Sequence, residues 1–214
     1  MSSVLICEDD AFLAADLSMS VESAGHEVAG VYANAADALR AASDIVPDVA
    51  FVDLELAGIV VANDDVLDGR YLEVHQRLLT LLATQAPVAT DLRLVSALLH
   101  VMKNMERMGD QCVNIAKMIP ISGHNAPADE RLLKNIFTMG KQVRSLVTQV
   151  KRAFADRDVE LARDLVRQDD VIDNLNRECF QIAIEIGDDK DRREWATTMI
   201  LVARALERIG DNAV

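Results

Sequence analysis

Aromatic residues make up only 4% of the 214 positions, too few for a β-sandwich, whose strands draw on aromatic and β-branched side chains. Cysteine is scarce too. Cys7, Cys112 and Cys179 are odd in number, scattered and free of zinc or redox spacing, which excludes a disulfide-stapled scaffold and suits a reducing compartment. Basic residues are outnumbered, 22 Lys and Arg against 35 Asp and Glu, for a net charge of -13. Such a field repels phosphodiester backbones and anionic lipid, so nucleic acid is not an expected partner. No apolar run approaches the roughly 20 residues that span a bilayer, and Met1-Ser2-Ser3 lacks the basic start of a signal peptide. The expectation is a cytoplasmic protein with no direct membrane insertion. What the chain has in quantity is apolar residues, 50% of the total, with Ala, Leu, Val and Met prominent. That composition predicts a mainly helical fold.

Residues 1–58 read differently from the rest. Val4-Leu5-Ile6-Cys7 is a short apolar run ending in Glu8-Asp9-Asp10, a helical pattern follows to Gly25, and His26 to Val31 reads as a second strand. An Ala-rich helix around Ala35 to Ser43 precedes a third buried run, Val49 to Val52, closed by Asp53. Alternation of this βαβαβ kind implies a parallel sheet, with chemistry at the carboxyl ends of its strands. Glu8, Asp9 and Asp53 fall at those ends. The segment resembles half of a response-regulator receiver domain. The resemblance implies Glu8 and Asp9 as a Mg²⁺-binding pair and Asp53 as a phosphoacceptor. A complete receiver has two further strands carrying a Ser or Thr and a Lys, which have no room here. Asp53 is therefore expected to be inactive as a switch, because phosphoryl transfer needs positioned charge-stabilising groups.

From Ile59 onward the pattern is one of long amphipathic helices containing an internal repeat. Asn63-Asp-Asp-Val-Leu-Asp68 recurs as Gln168-Asp-Asp-Val-Ile-Asp173, and Met105-Glu-Arg-Met-Gly-Asp110 as Leu206-Glu-Arg-Ile-Gly-Asp211, in the same order. The first repeat, 59–119, is read as a hairpin with helices from near Asp64 to Thr84 and Asp91 to Met118. Thr90 or Asp91 is its expected cap. Residues 120–128 are read as a linker, on Pro120, Gly123 and Pro127. The second repeat, 129–214, gains a leading helix from Asp129 to Phe154, making three. Each motif places two acids four residues apart on one helix face, and the motifs lie at matched distances from each hairpin turn. Four carboxylates thus converge per repeat: Asp64, Asp68, Glu106 and Asp110 in the first, and Asp169, Asp173, Glu207 and Asp211 in the second. Such clusters suit a divalent or trivalent cation, Mg, Mn, Fe or Zn, which removes their mutual repulsion. Gly109 and Gly210 inside the motifs allow a close approach at a helix cost of about 1 kcal/mol. His75, His100 and His124 stand outside ligand spacing.

The duplicated Glu-Arg-x-Gly-Asp helices and Gln85-Ala-Pro-Val-Ala-Thr-Asp-Leu-Arg93 are similar to the PhoU family of phosphate-transport accessory and regulator proteins. The resemblance implies two three-helix bundles that bind multinuclear metal through the acidic motifs. It also implies a cytoplasmic, dimeric, non-enzymatic adaptor between a phosphate ABC transporter and a sensor histidine kinase, restraining the phosphate-starvation response. The alternative is a phosphorelay response regulator with Asp53 as phosphoacceptor and a helical output. Two departures stand out: the first repeat lacks a leading helix, and the chain stops before the family's last helix ends. With the receiver cut near Gly58, the chain reads as spliced or truncated. A half sheet with an uncovered face or edge, and an apolar groove along Leu67, Leu78, Leu94 and Leu98, are the expected consequences, with a second copy the favoured occupant of the groove.

Overall fold

The computed structural model describes residues 3–8, 11–45, 49–52, 54–122 and 129–214. They form two compact units, Met1–Val61 and Ala62–Val214.

The first unit runs β1 (Ser3–Cys7), α1 (Ala11–Ser23), β2 (Glu27–Tyr32), α2 (Ala35–Ile45), β3 (Val49–Val52) and the start of α3 (Leu54–Ala62). The strands form one parallel sheet in the order β2-β1-β3. Successive side chains of a strand point to opposite faces, and β1 uses both. Leu5 and Cys7 pack with Ala38 of α2 and with Ile59 of α3, whereas Val4 and Ile6 pack with Val21 and Leu17 of α1. The expected uncovered face is therefore absent at β1, which is buried on both sides as a parallel strand requires. Helix α3 is an element that sequence reading missed. It carries the chain past the boundary expected after Gly58.

The second unit is all helical: α4 (Asp64–Gln85), α5 (Ala89–Ser122), α6 (Glu130–Asp156), α7 (Val159–Glu185) and α8 (Lys190–Ala213). Helix α6 starts where Asp129, in extended backbone, accepts the N–H groups of Arg131 and Leu132. It stops where Arg157 turns left-handed and returns its N–H to Ala153 and Phe154. Asp158 caps α7 through the Leu161 N–H. The apolar stripes of α6, α7 and α8 then meet in one core, with Leu132, Met139, Leu146, Ile172, Cys179 and Ala203 almost fully buried. Met108 and Ile115 of α5 pack against this core from the side. No described helix is long and apolar enough to cross a membrane.

Two expectations are corrected here. The linker expected at 120–128 begins later, because α5 continues through Pro120 to Ser122; a proline this near a helix end removes one N–H and leaves the preceding turns intact. Residues 123–128, including His124, lie outside the described residues. Thr90 and Asp91 sit inside the first turn of α5, which starts at Ala89, and the Arg93 guanidinium donates to Thr90 Oγ1 at 3.4 Å. The apolar face expected to lie uncovered on α4 and α5 is open at several positions: α4 has no buried residue, and Val74, Leu81, Leu94 and Met105 are exposed. Periodicity marks an apolar face but not whether anything covers it.

Candidate functional site

The two acidic sets sit where the repeat predicts, the first on α4 and α5, the second on α7 and α8. In the second set, oxygen atoms of Asp173, Glu207 and Asp211 all lie within 4.8 Å of one another, the one such trio of His, Cys, Asp or Glu among the described residues. Asp169, one turn before Asp173, is buried against α8 beside Gly210. A Cβ at Gly210 would stand 2.5 Å from Asp169 Oδ1 and 3.3 Å from Ile172 Cδ1, so the missing side chain makes room for this carboxylate. Asp169 Oδ1 and Glu207 Oε2 are buried without a hydrogen-bond partner. The other Glu207 oxygen, Oε1, accepts from the Arg204 guanidinium.

Burial of acids this close has an electrostatic signature. The Asp169 carboxyl is pushed up to about 6, by burial first and then by Asp211, Asp173 and Asp170. Glu207 is raised by burial and by Asp211, while Arg204 pulls it down. The first set shows the same pattern more weakly. Asp64 is raised by partial burial and then by Asp68 and Asp110, and Glu106 by partial burial and then by Asp110 and Asp68. All four acids of the first repeat are thus electrostatic neighbours, although none of them forms a trio as tight as that of the second. Gly109 plays the part of Gly210: a Cβ there would run into Leu67 and come within 4.0 Å of Asp64 Oδ1.

Crowded, half-dry carboxylates demand positive charge, from protons or from a cation, because isolated buried anions are costly. Oxygen-only donors from facing helices fit a hard cation, and the two unpartnered oxygens are the structural sign of that fit. Asp169, Asp173, Glu207 and Asp211 would hold it.

Of the receiver-like acids, only Glu8 lies among the described residues. Glu8 directly follows β1, and its N–H donates to the Tyr32 carbonyl at 2.9 Å across to β2. Asp9 and Asp53 lie outside the described residues. His75 stacks on Tyr71, with ring centroids 5.8 Å apart. Arg204 is the site residue that sequence reading missed. Its signal was available: a base stands three residues before the motif glutamate in both repeats, Lys103 before Glu106 and Arg204 before Glu207.

A family model described as the PhoU domain matches residues 27–119 and 136–214. The chain belongs to the PhoU family. The two matched stretches contain the two acidic repeats, and the first begins in β2, well before Ile59. The chain is similar to a phosphate-specific transport system accessory protein PhoU homolog of Clostridium acetobutylicum, 31% identical over 161 residues, covering 74% of this chain and 73% of that protein. A PhoU homolog 1 of Thermotoga maritima is 30% identical over 172 residues, covering 80% and 74%. Among solved structures, PhoU from Pseudomonas aeruginosa superposes with a TM-score of 0.68 at 26% identity, covering 75% of this chain and 77% of that one. The phosphate transport system regulatory protein PhoU from Streptococcus pneumoniae gives a TM-score of 0.68 at 25% identity, covering 84% and 80%. The mainly helical architecture is thus that of the PhoU proteins.

Proposed function

We propose that the chain is a regulatory accessory protein of a phosphate transport system that holds divalent or trivalent metal ions, Mg, Mn, Fe or Zn, in its two carboxylate clusters. The observation that carries metal binding is the pair of buried oxygens without donors, Asp169 Oδ1 and Glu207 Oε2, beside the close trio Asp173, Glu207 and Asp211. A bound cation would neutralise the converging charge and tie α7 to α8 through ligands from both. The role in phosphate transport is supported by relatives at 30–31% identity that are phosphate-specific transport system accessory proteins. On the family resemblance, the chain links a phosphate ABC transporter to a sensor histidine kinase as a cytoplasmic homodimer and restrains phosphate uptake and the starvation response. It acts by binding, without catalysis of its own. The N-terminal unit contributes a receiver-like fold, whose parallel order β2-β1-β3 supports that ancestry.

The test is a bacterial host deleted for its own PhoU gene and carrying a reporter of the phosphate-starvation response. This chain is expected to lower reporter output in high phosphate. The combined variant Asp173→Asn, Glu207→Gln, Asp211→Asn is expected to leave output high. A chain that accumulates in folded form and leaves the reporter fully on would reject the regulatory reading.

A further inference from the structure

Ion pairs between residues three apart recur on these helices, and one of them differs from the rest. In Arg40–Asp37, Arg70–Glu73, Arg163–Glu160 and Arg167–Asp164 the acid side chain is 42% to 83% exposed. Pairs of this kind contribute little, because water already screens both charges. In Arg204–Glu207 the acid is 9% exposed, beneath an arginine that is half-exposed. A carboxylate taken out of water is costly unless a cation or hydrogen-bond donors answer its charge.

Arg204 answers half of Glu207. Its guanidinium donates to Oε1, while Oε2 stays buried without a donor, as does Asp169 Oδ1. Asp173 and Asp211 each bring an oxygen within 4.8 Å of one of Glu207's, so the cluster holds far more negative charge than this one base balances. Of the bases acting on Glu207, Arg204 outweighs Arg208. The charges acting on Asp169, those of Asp211, Asp173 and Asp170, are all negative. At the first cluster the counterpart of Arg204 is Lys103, which is exposed, and the base that acts on half-buried Glu106 is Arg107. The second cluster therefore carries a cation of its own, set on a buried ligand.

Resting on the reading that this cluster binds metal, we propose that Arg204 is its resident counter-cation, which holds Glu207 in the metal-free state and opposes the entry of metal. A group that stabilises the metal-free state more than the metal-bound one lowers metal affinity by the same factor. The consequence is a site that exchanges its metal more readily than four bare carboxylates would.

The probe is Mn²⁺ alone, titrated calorimetrically into the full chain above neutral pH. Glu106→Gln and Asp110→Asn are present throughout, so that only the second cluster is read. Arg204→Gln is expected to bind Mn²⁺ about tenfold more tightly, because it removes the screened repulsion of two cations on one carboxylate. It is also expected to melt at a lower temperature than its parent when metal-free, a difference that saturating Mn²⁺ closes. Arg204→Lys keeps the charge and is expected to return both values to those of the parent. Arg163→Gln, which breaks an exposed pair of the same spacing, is expected to change neither. Weaker Mn²⁺ binding by Arg204→Gln would make Arg204 an orienting group of the metal-bound state and overturn the proposal. Unchanged affinity overturns it too, as does a lysine variant that behaves like the glutamine one. A parent chain that takes up no Mn²⁺ overturns the metal reading and the proposal with it, whereas the other failures leave that reading standing.

Discussion

Trp195→Ala is expected to lower the unfolding free energy by about 3–5 kcal/mol, the range for removing a buried large aromatic from a packed core. The same change at its repeat counterpart, Leu94→Ala, is expected to cost about 1 kcal/mol or less, because a side chain already in contact with water leaves no cavity behind. Trp195 is 6% exposed and packs among residues of α6, α7 and α8, whereas Leu94 is 40% exposed. Urea unfolding followed by far-ultraviolet circular dichroism reads both, since Trp195 is the sole tryptophan and its fluorescence is lost in the variant. Equal losses at the two positions would mean that α4–α5 has a covering partner in solution.

Gly210→Ala and Gly109→Ala are expected to part in sign, although both add a methyl group to a helix. Replacing a helical glycine by alanine gains about 1 kcal/mol of propensity. At Gly210 the new Cβ meets Asp169 Oδ1 at 2.5 Å, and Asp169 is a short, buried side chain with nowhere to retreat but away from the cluster. Overpacking of this kind costs about 1–3 kcal/mol. A net loss of stability, accompanied by loss of metal from the second cluster, is the expected outcome. At Gly109 the obstacle is one methyl of Leu67, a half-buried and flexible side chain. That methyl can rotate aside, so Gly109→Ala is expected to be neutral or stabilising by up to about 1 kcal/mol. Stabilisation at Gly210 with metal retained would contradict the close seating of Asp169.

Much of this was legible from periodicity. The ends of α4 and α6 fall close to where the apolar stripes place them, and the acidic motifs lie on paired helices. Helix α3 escaped notice because Leu54–Ala62 is almost uniformly apolar, and a run without polar contrast has no readable period. Pro120 was misjudged for a related reason: its effect on a helix depends on how many turns remain, which composition does not state. The difference between the two clusters was invisible in the sequence. Asp64 and Asp169 sit in near-identical motifs, yet Asp169 is buried while Asp64 is half-buried. Glu207 likewise owes its ion pair to Arg204, a residue outside the motif that drew attention to it.

The central claim is that the carboxylate clusters are metal sites. Its most direct test is metal analysis of protein purified without chelator and equilibrated at two pH values. At neutral pH, bound divalent or trivalent metal is expected in the wild-type chain and is expected to fall in the combined variant Asp173→Asn, Glu207→Gln, Asp211→Asn. Because burial and the neighbouring carboxylates push the Asp169 carboxyl up to about 6 and metal ligation needs the deprotonated form, wild-type content is expected to drop as the pH is lowered through that region. Metal-free wild-type protein at neutral pH under saturating cation, or a variant that keeps the wild-type content, would contradict the account.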